Sequence, residues 1–199
     1  THKDVNKPNE VLSLLIEAEG LELSETELLH QCIFMLNAGH ETSTNMLSHG
    51  LNELINHKDQ YKLLQKEPGR IDTAIDEILR FQPPIQINNR RCLEKTKLGD
   101  VVVPEGTSVH MIIAGANRDP LQFFEPETFD ISRSPNRHLS FGLGIHICAG
   151  INLARVEAKV AFQSLMSSFR EINLLKKPNV ANRIRFREIK EMEIEVSSF

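Results

Sequence analysis

The chain has 199 residues, of which 40% are hydrophobic and 25% are charged, a composition typical of a globular domain and not of a disordered or fibrous chain. Its 23 basic and 27 acidic residues leave a net charge of -4, so the charge does not favour a nucleic acid as partner. Three widely spaced cysteines argue against a disulfide framework and favour a reducing cytoplasm. No run of about 18 apolar residues predicts a membrane span.

The first predicted elements are helices. Apolar residues at helical spacing from Val11 predict a short amphipathic helix that ends near Gly20. Ser24 and Glu27 then form a capping box, the usual start of a helix. From residue 25 to about residue 56 no proline interrupts the helical pattern, which predicts a helix about 45 Å long.

The middle of this long helix carries the unusual segment Ala38-Gly39-His40-Glu41-Thr42-Ser43-Thr44. A glycine inside a helix costs roughly 1 kcal/mol relative to alanine, and adjacent hydroxyl side chains compete for the backbone hydrogen bonds. Because these residues weaken the centre of the helix, we expect the segment to have a function. The alternative is that Glu41 and Thr42 are an ordinary pair of polar residues that faces solvent.

Two shorter helical patterns follow at residues 58–66 and 71–81, separated by Pro68 and Gly69. In the second, Glu77 and Arg80 lie three residues apart and share a face, which on general grounds predicts a surface ion pair worth less than about 1 kcal/mol. Between residues 85 and 113, turn residues separate short runs rich in β-branched side chains, which predicts a small β-sheet.

The most informative stretch is residues 138–150, with the sequence His-Leu-Ser-Phe-Gly-Leu-Gly-Ile-His-Ile-Cys-Ala-Gly, directly before a helical pattern at 151–169. The amide groups at the start of that helix favour a negative charge on Cys148, and a thiolate is a nucleophile or a metal ligand. Gly142 and Gly144 have no Cβ, so the backbone between them can adopt positive φ and approach a flat ligand closely. A structural cysteine in a glycine-rich turn is the alternative.

Two other motifs are excluded by single residues. His40 and Glu41 match the start of the H-E-x-x-H zinc motif, but residue 44 is threonine where the second histidine belongs. Gly142 and Gly144 match the start of a dinucleotide-binding fingerprint, but residue 147 is isoleucine where the third glycine belongs.

The pattern F-G-x-G-x-H-x-C-x-G, which runs from Phe141 to Gly150, resembles the haem-binding loop of the cytochrome P-450 monooxygenases at every fixed position. The resemblance implies a mainly α fold with a small β-sheet (α+β), specifically the C-terminal haem-binding half of that fold. It implies that Cys148 is the axial ligand of the iron of haem b (iron protoporphyrin IX). His146 would meet a haem propionate, and Phe141, Gly142 and Gly150 would contact the cofactor. Cysteine ligation pushes electron density onto the iron and favours O–O cleavage.

The segment at the centre of the long helix is similar to the A-G-x-E/D-T motif of the same family. The resemblance implies that Ala38 and Gly39 make room for O₂ on the distal side of the haem. It also implies that Glu41 and Thr42 are the catalytic acid–alcohol pair, which relays protons to the oxygen within hydrogen-bond reach.

Glu77 and Arg80, followed by Pro83-Pro84, are similar to the E-x-x-R helix of the family, and Phe129-Asp-Ile-Ser-Arg133 fits the segment called the meander. The resemblance implies that Glu77, Arg80 and Arg133 form a structural triad that holds the proximal wall of the haem site.

The strand residues 88–94 align with the family pattern R-x-A-x-E, with Arg90 as the arginine that faces a haem propionate. Arginine suits this role because it stays charged and binds a carboxylate through two donors. Arg91 is a rival for the role, and Cys92 stands where the family usually has alanine. Ile85 and Ile87 would lie at the haem edge and touch substrate, with a plain core position as an equal alternative.

The resemblance extends over residues 1–199 as one portion of a haem-thiolate domain, but over only about the C-terminal half of the family's usual length. Its parts are the long distal helix (about 25–56), the small sheet (about 85–113), the meander and haem loop (about 116–150), the proximal helix (about 151–169) and terminal hairpins (about 171–199).

The function implied is an oxidoreductase of the cytochrome P-450 monooxygenase type, which activates O₂ to hydroxylate a small apolar substrate. Electrons would come from a ferredoxin or flavodoxin-type donor in the cytoplasm, and an N-terminal half would be a further partner. The alternative is a truncated or split, non-enzymatic half-chain that binds haem weakly or depends on a partner. A plain helical domain without cofactor is a third reading.

Overall fold

The computed structural model describes residues 11–20 and 22–199. The helices are α1 (Val11–Ala18), α2 (Glu25–Asn56), α3 (Lys58–Lys66), α4 (Ile71–Phe81), α5 (Ile113–Ala116) and α6 (Ile151–Ser168), with 3₁₀ turns at Pro68–Arg70 and Gly144–His146. The strands are β1 (Ile87–Arg91), β2 (Thr96–Leu98), β3 (Val101–Val103), β4 (Ser108–Ile112), β5 (Phe169–Leu174), β6 (Asn179–Val180), β7 (Ile189–Glu191) and β8 (Ile194–Ser198). The described residues divide into two compact units, one that ends at Glu41 and one from Thr42 to Phe199, and α2 runs from the first into the second.

In the first unit, the predicted capping box starts α2. The amide and the hydroxyl of Ser24 donate to Glu27 Oε2 at 2.8 Å and 2.7 Å, and the Glu27 amide donates to Ser24 Oγ at 3.3 Å. The hydrogen bond from the Ser24 hydroxyl, and then that from its amide, hold the pKa of Glu27 below its ordinary value. Several apolar side chains of this part of α2 are exposed, among them Leu29, Ile33, Phe34 and Leu36. Surfaces of this kind are usually covered by a partner.

The core of the second unit lies where α3, α4, α6 and the C-terminal part of α2 meet. Its buried residues are Met46, Leu51, Leu54, Ile55, Tyr61, Leu64, Ile71, Ala74, Ile75, Ile78, Leu79, Phe129, Ile131, Ala158, Phe162, Met166 and Ile172. The spacing of these residues on α4 is helical, so one face of α4 is apolar and packs inward. This packing fixes α4 against α6, the helix that follows the cysteine loop.

Gly50 marks the closest packing of α2 in this core. A Cβ at this position would lie 2.6 Å from Phe162 Cζ and 2.9 Å from Ile78 Cγ2. We therefore expect Gly50→Ala to lower the free energy of unfolding by about 1–3 kcal/mol, the usual cost of overpacking, although alanine is the better helix former. Urea denaturation measures this change.

Gly39 provides the matched control on the same helix. Within the described residues, nothing lies within 4 Å of a Cβ built at Gly39. Gly39→Ala should raise the stability by up to about 1 kcal/mol, because only helix propensity changes. If the two substitutions changed the free energy of unfolding equally, close packing would not be the reason for a glycine at position 50.

The β-rich region differs from the single small sheet that the sequence predicts. β1 pairs with β4 in one antiparallel sheet, and β2 pairs with β3 in another. The reason is the turn at Gly99, whose φ of 58° closes β2 and β3 as a hairpin of their own before β4 returns to β1. The strand predicted to reach residue 113 ends at Ile112, where α5 begins.

The C-terminal strands form two nested antiparallel pairs. β5 pairs with β8, and β6 pairs with β7 between them. The sequence predicts terminal hairpins in this region, which is the arrangement observed. Among the helices of the described residues, none has both the length and the hydropathy needed to cross a membrane.

Candidate functional site

The cysteine loop is shaped by its glycines. Gly142 and Gly144 adopt φ of 75° and 70°, a conformation that side chains with a Cβ rarely take. A Cβ at Gly142 would also lie 3.2 Å from the carbonyl oxygen of His146. The amide of Cys148 donates to the carbonyl of Phe141 at 2.8 Å, so the loop closes on itself directly before α6. The backbone of Cys148 is therefore held by the backbone of Phe141.

The loop residues fit a haem. Cys148 is a half-buried free cysteine near the N-terminus of α6. Gly150, two residues further on, lies next to the sulfur, since a Cβ built there would be 3.9 Å from Cys148 Sγ. Leu143 and Ile145 expose 78% and 96% of their surface, which leaves apolar loop side chains available to a flat apolar ligand. A cysteine sulfur on a loop that carries exposed apolar side chains suits a haem, whose iron takes cysteine as a ligand.

The other predicted cofactor contacts lie on separate elements. His146 lies in the 3₁₀ turn of the loop and is exposed. Arg90 and its rival Arg91 are exposed residues of β1, opposite Val109 and Ser108 of β4, and Arg90 Nη1 donates to the carbonyl of Asn89 at 2.8 Å.

Ile85 and Ile87 are half-buried side chains at the entry to β1. Neither residue belongs to the buried core cluster of the second unit. The expectation that they contact cofactor or substrate stays a prediction.

The segment of α2 that carries the predicted catalytic pair is regular helix. Ala38 and Gly39 are exposed, and Glu41 and Thr42 are half-buried. The residue after Thr42 makes a contact that the sequence does not predict: Ser43 Oγ donates to Glu157 Oε2 of α6 at 2.7 Å. A hydroxyl next to Thr42 is thus tied to the helix that follows the cysteine loop.

The predicted triad is brought together and is buried. The side chains of Glu77 and Arg80 have no exposed surface, and two hydrogen bonds of 2.8 Å join the guanidinium to both oxygens of the carboxylate. Arg133 reaches the same carboxylate through Nε at 3.2 Å and 3.3 Å. The amide of Asp130 and the side chain of Asn136 donate to it as well, at 2.9 Å and 3.0 Å. The general expectation of a surface ion pair is therefore wrong, because the meander folds over this face of α4.

The two arginines also bind the meander through its backbone. Arg80 donates to the carbonyls of Asn117, Pro126 and Thr128 at 2.8–3.0 Å. Arg133 donates to the carbonyls of Phe124, Glu125 and Thr128. Burying two guanidinium groups is tolerable only because nearly all their donors are satisfied.

Asn117 is a site residue whose role the sequence reasoning missed. It is fully buried, and its side chain accepts the amide of Leu139 at 2.8 Å and donates to Ser140 Oγ at 3.0 Å. Ser140 Oγ in turn donates to the carbonyl of Leu79 at 2.7 Å. The segment that leads into the cysteine loop is thereby fixed to α4. No local sequence pattern marks Asn117, because its partners lie 22 and 23 residues further along the chain.

Comparison with known proteins identifies the class. A family model described as cytochrome P450 matches residues 1–183. The chain therefore belongs to the cytochrome P450 family, and both the family and the α+β fold predicted from the sequence are confirmed.

Among its relatives, the biotin biosynthesis cytochrome P450 of Bacillus subtilis (strain 168) is 39% identical over 166 residues, which are 83% of this chain and 42% of the relative. The tirandamycin C-bound P450 monooxygenase TamI has a TM-score of 0.91 at 32% identity, with 96% of this chain and 50% of that chain covered.

P450BioI, in complex with an acyl carrier protein that carries hexadec-9Z-enoic acid, has a TM-score of 0.88 at 36% identity, with 92% and 48% covered. The chain thus spans about half the length of the relatives it matches. Because the relatives are cytochromes P450, the chain belongs to a haem family.

Proposed function

We propose that this chain is the haem-thiolate core of a monooxygenase that inserts oxygen into a small apolar substrate. The single observation that carries the proposal is the loop from Phe141 to Gly150, in which two positive-φ glycines precede a half-buried cysteine at the start of a helix. Membership of the cytochrome P450 family supports it. The activity of the whole protein belongs to this proposal, since the relatives are about twice as long.

Cys148 would hold the iron of haem b through its sulfur, and the backbone hydrogen bond to Phe141 keeps the residue in place. When bound, the haem supplies oxygen activation, which thiolate ligation favours by pushing electron density onto the iron. The glycines let the loop backbone approach the flat cofactor. His146 and Arg90 are the proposed donors to the propionates, because both are exposed and carry side-chain N–H groups.

The distal residues of α2 have the remaining roles. Ala38 and Gly39 would leave space for O₂, and Glu41 with Thr42 would supply and pass on protons. A carboxylate and a hydroxyl next to each other suit proton transfer, because the acid supplies the proton and the alcohol passes it on at hydrogen-bond distance. Ile85 is proposed to line the apolar substrate site.

The proposed partners follow from this chemistry. A small apolar substrate and O₂ would be the small-molecule partners, and a ferredoxin or flavodoxin-type protein in the cytoplasm would be the electron donor. The non-enzymatic alternative is not favoured, since the loop retains every fixed position of the family pattern and the Glu77 cluster is fully assembled.

The absorbance spectrum of the haem-loaded chain, reduced and exposed to carbon monoxide, tests the proposal. We expect a strongly red-shifted Soret band, because the iron would then be ligated by the Cys148 thiolate. A band at the ordinary position would mean that the thiolate is protonated or replaced. A failure to take up haem at all would favour the partner-dependent half-chain. Apo-chain mixed with free haem in the presence of excess imidazole is a suitable spectral reference.

A further inference from the structure

Phe141, the first residue of the cysteine loop, contacts two side chains. One is the ring of His138, with centroids 5.9 Å apart and planes tilted by 49°. The guanidinium carbon of Arg155, from the first turns of α6, lies 5.5 Å from the centre of the Phe141 ring. An aromatic ring with a cation over it is favourably placed, so both neighbours fix the ring.

Both neighbours are bound by one carboxylate. Asp76 Oδ1, on α4, accepts Arg155 Nη2 at 2.7 Å and His138 Nε2 at 3.4 Å. His138 Nδ1 accepts the amide of Ser140 at 3.2 Å, so Nε2 is the nitrogen that carries the hydrogen and donates to Asp76. Burial of Asp76 opposes its ionisation, but the hydrogen bonds from His138 and Arg155 and the charge of Arg155 outweigh it and lower the pKa of Asp76. The carboxylate is thus charged at neutral pH.

The cluster is connected to the cysteine through the main chain. The carbonyl of Phe141 accepts the amide of Cys148 at 2.8 Å, so a displacement of Phe141 displaces the cysteine. Asp76 is also next to Glu77, the centre of the buried triad. One turn of α4 therefore holds the meander through Glu77 and the start of the cysteine loop through Asp76.

We propose that Asp76 is a positioning residue: through His138, Arg155 and the Phe141 ring it sets the position of Cys148, and so the alignment of the sulfur with the haem iron. The inference rests on the proposed function, in which Cys148 is the haem ligand. The charge on Asp76 matters because it orders two helices and the loop around a single ring. Asp76 touches no reacting atom.

The test compares Asp76→Asn with Asp72→Asn. Asp72 also joins α4 to α6, since both its oxygens accept Lys159 Nζ at 3.0 Å and 3.1 Å, and it lies one helical turn before Asp76. The control therefore removes the same charge from the same pair of helices, at an ion pair whose carboxylate is 66% exposed. Two readouts are used: hydrogen exchange of the Cys148 amide before and after haem loading, and the Soret band of the reduced carbon monoxide complex.

In Asp76→Asn we expect the Cys148 amide to exchange about tenfold faster than in Asp72→Asn, because hydrogen bonds to charged groups are among the stronger ones. After loading, part of the red-shifted Soret band should move to the ordinary position in Asp76→Asn only. Asp76→Glu should restore part of the red-shifted band. If Asp76→Asn folds poorly, Arg155→Gln removes the same ion pair from α6 and should give the same two changes.

Equal exchange rates and equal spectra in the two asparagine variants would overturn the inference. A wild-type chain that shows no red-shifted band would instead contradict the proposed function. The exchange rate of the Cys148 amide without haem still decides whether Asp76 positions the loop, so the two failures are distinguishable.

Discussion

Cys148→Ala is expected to abolish the red-shifted Soret band of the reduced carbon monoxide complex completely, and to weaken the retention of haem. The reason is that the methyl group of alanine has no electron pair to give to iron, and within the described residues no group of three or more His, Cys, Asp or Glu side chains is placed to hold a metal ion instead. Spectral titration with haem measures both effects. Far-UV circular dichroism of the same samples shows whether α6 and its neighbours stay folded.

The chain contains its own controls for this substitution. Cys32 and Cys92 are free and half-buried like Cys148, but they lie on α2 and directly after β1. Cys32→Ala and Cys92→Ala should leave the band where it is. A red-shifted band that persists in Cys148→Ala, or that disappears in a control variant, would show that the ligand has been misassigned.

The alternative role for Cys148 is structural, and it makes a different prediction. As a small half-buried side chain, a structural cysteine replaced by alanine would cost only part of the transfer free energy of one sulfur atom, with little effect on any spectrum. The spectral titration therefore distinguishes the two roles of Cys148 even if Cys148→Ala is as stable as the unsubstituted chain.

The helices of this chain could be predicted closely from sequence, because their signals are local. The capping box at Ser24 and the absence of proline up to Asn56 define α2, and the structure begins and ends it at the predicted residues. Proline and glycine at 68–69 separate α3 from α4 in the same way. The positive φ of Gly142 and Gly144 was likewise predictable, since only glycine adopts it readily.

The strand pairing was harder to predict, because it depends on partners distant in sequence. β-branched residues mark β3 and β4, whereas β1 has the sequence Ile-Asn-Asn-Arg-Arg, and composition does not say that the intervening hairpin forms a separate pair. The turns at Gly99 and Gly106 set which residues pair across the strands, and composition alone does not predict this register.

The Asp76 cluster shows the same limit within the site. Asp76, His138 and Arg155 lie on three segments that are 62 and 17 residues apart, and no local periodicity connects them. The neighbouring Glu77 could be singled out only through the resemblance to a family. General rules for an i, i+3 pair pointed to the surface, whereas the meander buries it.

Glu77→Gln is expected to lower the free energy of unfolding by about 3–5 kcal/mol, the largest stability loss predicted for this chain. Glutamine has the shape of glutamate but no charge, so it leaves Arg80 buried without a counterion. It also replaces one of the two carboxylate oxygens with an amide nitrogen, which cannot accept from Arg80, Arg133 or the Asp130 amide. Urea denaturation measures the loss.

Glu67→Gln is the matched control, because Glu67 and Arg70 have the same spacing and the same chemistry at the surface. Their contact is 2.5 Å, but 42% and 38% of the two side chains remain exposed, so water and salt screen the charges. The expected loss is below about 1 kcal/mol. If the two glutamine variants were equally stable, the buried cluster would contribute no more than a surface pair. A large loss of stability in Glu77→Gln alone would mean that the buried charge of Glu77 holds the meander on α4. The meander leads directly into the cysteine loop, so the same charge would support that loop.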